Sequence, residues 1–164
     1  MSNNASTIRF TEVPGNKLWY RNMCGAVGEY NKTAVRNFAI ELDDETAESL
    51  IADGWTCINH KPKSSKDPDS ELIYRFKIKM NFNSMYPPRI YVASRDGKRR
   101  TMVEEHWLDD QNIDKRRIEW CDIEVNPYTR TVNGKEWCSA YLSEITFKLQ
   151  EGGFDYKYAE DVPF

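Results

Sequence analysis

Leu72-Ile73-Tyr74-Arg75-Phe76-Lys77-Ile78-Lys79-Met80 decides the fold. Leu72, Tyr74, Phe76, Ile78 and Met80 fall at every second position, with Ile73, Arg75, Lys77 and Lys79 between them. Strand side chains point alternately to the two faces of a sheet, so this pattern predicts a strand with one apolar face and one basic outer row. A second strand follows the Tyr86-Pro87-Pro88 break, over Arg89 to Arg95. Ile90, Val92 and Ser94 share one side, and Arg89, Tyr91, Ala93 and Arg95 the other. Asp96-Gly97 is a hairpin signal, and Lys98-Arg99-Arg100 begins the return.

Outward from this pair the chain continues to read as strands. Ser6 to Glu12 predicts an edge strand, Leu18 to Met23 a second and Arg36 to Leu42 a third. Asp43 is placed to cap a helix carrying Ala47, Leu50 and Ile51 at helical spacing, and Asp53-Gly54 ends it. Trp55 to His60 predicts a short strand, and Lys61 to Ser70 an exposed loop. Glu104 to Leu108 predicts a short helix. Ile118 to Val125 is a strand broken by Asn126-Pro127-Tyr128, and Glu136 to Leu149 a final long strand with Tyr141, Ile145 and Phe147 on one side. Gly25 to Lys32 reads as a loop, and Asn133-Gly134 as a turn. Strands with one definite helix predict a mainly β chain, an OB-like β-barrel with one or two short helices and an acidic C-terminal tail. The expected division is residues 1–153 for the barrel and 154–164 for the tail.

Composition bounds the function. The chain has 164 residues, 40% hydrophobic and 30% charged, which fits one globular domain with a real core. No stretch approaches the roughly 20 apolar residues of a membrane span, and Met1-Ser2-Asn3-Asn4 opens no signal peptide. Cys24, Cys57, Cys121 and Cys138 form no C-x-x-C pair and read as reduced thiols of a cytoplasmic protein. Neither His60 nor His106 lies at metal-ligand spacing from them, so no metal or cofactor is expected.

Charge is segregated along the chain. Lys61 to Val103 holds eleven basic residues against four acids, whereas Leu149 to Phe164 holds four acids against Lys157 alone. A basic middle with an aromatic between its cations suits an unpaired nucleic-acid strand, whose phosphates meet Lys and Arg while bases stack on rings. The candidate contacts are Arg75, Lys77, Lys79, Arg89, Tyr91 and Arg95, extended to Trp19, Arg21, Arg99 and Arg130. The same row on an edge strand also serves solubility.

Glu160-Asp161-Val162-Pro163-Phe164 reads as a docking peptide. Phe164 offers a buriable ring, Pro163 lowers the entropy lost on binding, and Glu160 and Asp161 steer towards basic surfaces. The expected partner is a protein with a basic-rimmed apolar pocket.

Catalysis has little support. Asp109, Asp110, Asp114, Asp122 and Glu124 supply carboxylates without a paired acid and lysine at nuclease spacing, and His106 has no positioned nucleophile. No glycine pattern matches a phosphate-cradling loop.

Arg36-Asn37-Phe38, Asp53-Gly54-Trp55, Pro88-Arg89-Ile90, Asn126-Pro127-Tyr128, Val132-Asn133-Gly134-Lys135 and Ala140-Tyr141-Leu142 together resemble phage-encoded single-stranded DNA-binding proteins with an OB-like fold. The similarity runs from about Arg21 to Tyr158 as short spaced motifs. The tip resembles the acidic, Ile-Pro-Phe end of bacterial single-stranded DNA-binding proteins, with Val162 in place of Ile. The long flexible linker that precedes the tip in the cellular proteins is replaced here by a few residues. The resemblance implies cooperative coating of single-stranded DNA during phage replication or recombination, in the host cytoplasm, with room for a homo-oligomer. An RNA-binding or strand-annealing relative, and a phage nuclease or nuclease inhibitor, stay open as alternatives.

Overall fold

The computed structural model describes residues 4–25 and 35–150; the expected tail and most of the Gly25 to Lys32 loop lie outside them. Along the chain run β1 (Ile8–Pro14), β2 (Leu18–Asn22), β3 (Arg36–Leu42), α1 (Asp44–Asp53), β4 (Ile58–Ser64) and β5 (Asp67–Met80). They are followed by β6 (Arg89–Ala93), β7 (Arg100–Val103), α2 (His106–Asp110), β8 (Ile118–Val132) and β9 (Lys135–Leu149).

All nine strands belong to one sheet, whose main path is β1-β8-β9-β5-β3-β2. β4 adds to β5, and β6 adds to β9 and carries β7. The path starts at β1 and stops at β2 with no ladder between those two, so the OB-like barrel is partly open. A groove of about 600 Å³ lies along that side, lined by Ile8, Phe10 and Val13 of β1 and by Ile40, Leu42 and Leu50.

β9 is the common rail. Its whole length pairs antiparallel with β8. Its opposite edge takes β5 in parallel at Ala140 and Tyr141, then β6 in parallel from Glu144 to Phe147. The inner face gathers Phe38, Ile40, Phe76, Ile78, Met80, Ile123, Ile145 and Phe147, all buried. Trp55 meets Phe76 edge-on at 5.3 Å. This packing stabilises the chain far more than strand propensity does.

α1 forms where its caps predict. The Asp43 carboxylate accepts from the Thr46 amide at 2.7 Å, a contact worth about 1 kcal/mol, and Gly54 closes the helix with a φ of 110°. Ala47 and Leu50 are buried, while Ile51 faces solvent.

Four expectations need correction. Lys61 to Ser70 is no loop: β4 and β5 form a hairpin in which Lys61 pairs with Ile73 and Ser64 with Asp67. Among the described residues β4 pairs only with β5, so Pro62 sits on an edge strand that needs no amide from it. β8 likewise runs through Pro127, which pairs with Ala140 beyond the last β1 partner, Val125, where β8 is itself an edge. Third, Leu72 is 51% exposed and Ile73 buried at the outer end of β5, the reverse of the expected alternation. Last, Tyr141 does not share a side with Ile145 and Phe147. The β8–β9 register shifts between Glu124 and Val125, and the extra residue on β9 turns Tyr141 outward.

Candidate nucleic-acid interface

Asn133 and Gly134 both have positive φ, 53° and 79°, the geometry of the tight two-residue hairpin turn. The turn pairs Val132 with Lys135, and counting back sets Arg130 opposite Trp137, Tyr128 opposite Ser139 and Asn126 opposite Tyr141. Because opposed residues share a face, Tyr128, Arg130, Lys135, Trp137 and Tyr141 all lie on the outer side of this arm. Tyr128 and Trp137 are 54% and 38% exposed, unusual for large rings on a sheet.

The row continues onto β5 through the Lys79–Tyr141 pairing. The Lys79 ammonium lies 5.8 Å from the Tyr141 ring, and Tyr141 meets Tyr128 edge-on at 5.7 Å. At the far end the Lys135 ammonium sits 4.3 Å over Trp137. Lys77 is exposed one pleat along from Lys79. Lys77, Lys79, Arg130 and Lys135 are thus interspersed with three rings, and the nearest outer-face carboxylates of β8 and β9, Glu124 and Glu144, are paired with arginines. Such a row can bind phosphates and stack unpaired bases together.

The other expected cations are placed differently. Arg89 and Tyr91 lie on the same outer face, over β6, around Glu144, a carboxylate only 8% exposed. Arg89, Arg100 and Arg9 approach Glu144 at 3.2, 2.9 and 3.9 Å. Arg9 also pairs with Glu124 at 3.0 Å. The Glu144 hydrogen bond raises the pKa of Arg100, and the Ser143 hydroxyl, then Arg9, lower that of Glu124. This neighbourhood is close to neutral and its guanidinium groups are engaged.

Arg75 and Arg21 need correction as surface ligands. Arg75 is 1% exposed, its guanidinium 4.2 Å from the Trp19 ring and donating to the Lys63 carbonyl at 3.1 Å. Arg21 donates to the Ile113 and Arg116 carbonyls at 3.1 and 2.8 Å and ties β2 to the segment before β8. The indole of Trp19 donates to Glu41 at 3.0 Å. Arg95 and Arg99 are exposed at the β6–β7 turn, away from the hairpin arm in the register. Glu160 to Phe164 lie outside the described residues.

The acids considered for catalysis have structural partners. Asp109 grips Arg36 through both oxygens at 2.9 and 3.0 Å. Asp114 accepts from the Met23 and Cys24 amides, and Asp122 from the Glu12 amide. His106 is exposed between Asp110 and Glu104 at 2.9 and 3.1 Å. Among the described residues no group of His, Cys, Asp and Glu has a metal-holding arrangement. Burial pushes the Cys57 thiol up to about 12, far from a reactive thiolate.

A mainly β sheet with an outer row of rings and cations has the chemistry of surfaces suited to unpaired nucleic-acid strands. The family model described as "Putative phage ssDNA-binding domain" matches residues 3–164, and the chain belongs to that family. Among solved structures, the chain is similar to the single-stranded DNA-binding protein from bacteriophage Enc34 in complex with ssDNA. That likeness has a TM-score of 0.53 at 10% identity, over 94% of this chain and 95% of that one. The C-terminally truncated form of the same phage protein gives 0.52 at 11%, over 94% and 95%. At such identities the likeness is one of fold. No curated protein matches the chain.

Proposed function

We propose that this protein coats single-stranded DNA without sequence preference during phage DNA replication or recombination, as a binding protein and not an enzyme. The observation that carries the reading is the outer row of Lys77, Lys79, Tyr141, Tyr128, Arg130, Trp137 and Lys135, in which cations and rings are interspersed. The family membership and the DNA-bound phage neighbour support it. Residues 1–153 are the DNA-binding domain, and 154–164 a tail whose tip, Glu160 to Phe164, recruits replication or repair proteins in the host cytoplasm. Arg89, Tyr91, Arg95 and Arg99 are secondary contacts on the same protein.

The deciding experiment is a titration in EDTA with single-stranded DNA, duplex DNA and RNA. Preference for single-stranded DNA, with no cleavage, is expected. Equal affinity for duplex, or hydrolysis on adding a divalent metal, would remove the proposal, and preference for RNA would favour an RNA-binding role. For the tail, deleting Glu160 to Phe164 should tighten binding at low salt, where its charge is least screened. A lower melting temperature with no gain in affinity would make the tip a structural plug.

A further inference from the structure

Tyr20 breaks the rule of the strand that carries it. In a regular β2 the ring would turn to the opposite side from Trp19, into the core. Instead its φ is 50°, a conformation a non-glycine residue seldom adopts, and the β2–β3 register shifts between Trp19 and Asn22. The ring emerges 63% exposed, 5.9 Å from that of Trp19.

Something holds it there. The buried guanidinium of Arg75 lies 5.1 Å from the Tyr20 ring as well as 4.2 Å from that of Trp19. Arg75 is anchored on the Lys63 carbonyl, and its Nε has no hydrogen-bond partner, so the cation is committed chiefly to the two rings. Trp19 is fixed in turn by Glu41, which Lys17 holds at 2.8 Å. A strained backbone, a buried cation and a second ring together hold an aromatic that still faces solvent. Burial does not account for this arrangement, because the ring is not buried.

We propose that Tyr20 is a stacking platform for an unpaired nucleobase, extending the DNA path from the hairpin arm across β5 and β3 to β2. The inference rests on the nucleic-acid reading of the outer face. The register sets Trp19 beside Ala39 and Ala39 beside Lys77, so Lys77 stands about 10 Å away, two strand spacings, on the same face. Ala39 itself is only 6% exposed, so the side chains around it and not its methyl group form the intervening surface. A strand crossing it meets a cation for its phosphate and then a ring for its base.

The test uses the full chain with two probes of equal length, oligothymidine and an abasic deoxyribose-phosphate oligomer. Tyr20→Asn removes the ring, and asparagine tolerates positive φ. It should lower oligothymidine affinity about 5- to 150-fold with no change in salt slope, and this loss should be absent with the abasic probe. Tyr20→Phe should restore binding. Equal losses on both probes would make the effect structural and overturn the platform. So would unchanged oligothymidine binding in Tyr20→Asn while Lys79→Ala weakens both probes, an outcome that spares the DNA-binding face. Insensitivity to both substitutions would sink the face together with the platform. Photo-crosslinking of the unaltered protein to bromouracil-substituted DNA is independent of variant folding. Adducts at Tyr20 are expected, and adducts at Tyr128 or Trp137 without Tyr20 would overturn the inference.

Discussion

The guanidinium of Arg100 lies 3.8 Å over the ring of Tyr91 while its Nη1 donates to Glu144 at 2.9 Å. One face of the most conspicuous aromatic in the basic segment is therefore already covered. Trp137 carries the Lys135 ammonium rather than a guanidinium fixed by a carboxylate, and among the described residues no cation lies over Tyr128. Ala in place of Trp137 or Tyr128 should cost about 1–3 kcal/mol in oligothymidine affinity, and Tyr91→Ala less than either. Equilibrium titration of the three variants checks the order, and a dominant loss at Tyr91 would move the interface to β6.

Glu144 restrains three arginines at once. Replacing it with Gln keeps its shape and removes its charge, freeing Arg89 and Arg100 to reach phosphates while Arg9 keeps its pairing with Glu124. Tighter binding and a salt slope steeper by about 0.7 for each new phosphate contact are expected. Weaker binding would mean that the carboxylate aims the arginines rather than competing with DNA.

Lys79→Ala and Arg130→Ala should each reduce the salt slope by about 0.7 and leave the urea midpoint in place. Arg75→Ala should behave in the opposite way. Loss of a desolvated cation–π contact and a hydrogen bond should cost about 2–3 kcal/mol of stability in urea unfolding. An Arg75→Ala protein as stable as the parent would refute its placement in the interior.

Much of this is legible in the amino-acid sequence. The 72–80 and 89–95 alternations give β5 and β6, and Asp43 and Gly54 give α1 with its caps, because each depends on local periodicity or a local cap. Bulges were not legible. One inserted residue near Glu124 reverses the facing of Tyr141, and a positive φ at Tyr20 does the same on β2. The prolines misled for a related reason: Pro62 and Pro127 are tolerated because their strands are edges there, a property of topology. The hairpin arm itself could have been found. Asn133-Gly134 fixes a two-residue turn, and counting outward from it aligns Tyr128, Arg130 and Trp137 on one face. The burial of Arg75 had no such signal, since its pattern is that of Lys77.

Gly15 is required by space. A Cβ there would stand 1.8 Å from the Ile118 carbonyl oxygen, a backbone atom at the start of β8. Gly15→Ala should cost roughly 1–3 kcal/mol or more by overpacking. At about 2–4 °C per kcal/mol for a chain of this size, melting should fall by several degrees. An unchanged melting temperature would show that β1 and β8 can separate freely at that end.

Acid should weaken the fold in a defined window. The Arg36 hydrogen bonds hold the pKa of Asp109 below its ordinary value, and the Ser143 hydroxyl, then Arg9, do so for Glu124. A carboxylate depressed in the folded state stabilises fully above its unfolded pKa, about 4, and loses that contribution as pH falls through the native value. Urea midpoints at pH 5 and pH 3 should differ, and the difference should shrink in Arg36→Gln. An equal difference in that variant would assign the acid sensitivity to other groups.

The rail-like role of β9 has a consequence for how the chain is born. Synthesis proceeds from the N-terminus, so β5, β6 and β8 all leave the ribosome before the strand that joins them. Until then β1–β8, the β2-β3-β5-β4 group and the β6–β7 hairpin can exist only as separate pieces with unpaired edges, a state open to association with other nascent chains. On arrival β9 pairs with β8 through the shortest of turns and then stitches the three groups together in a single long-range step.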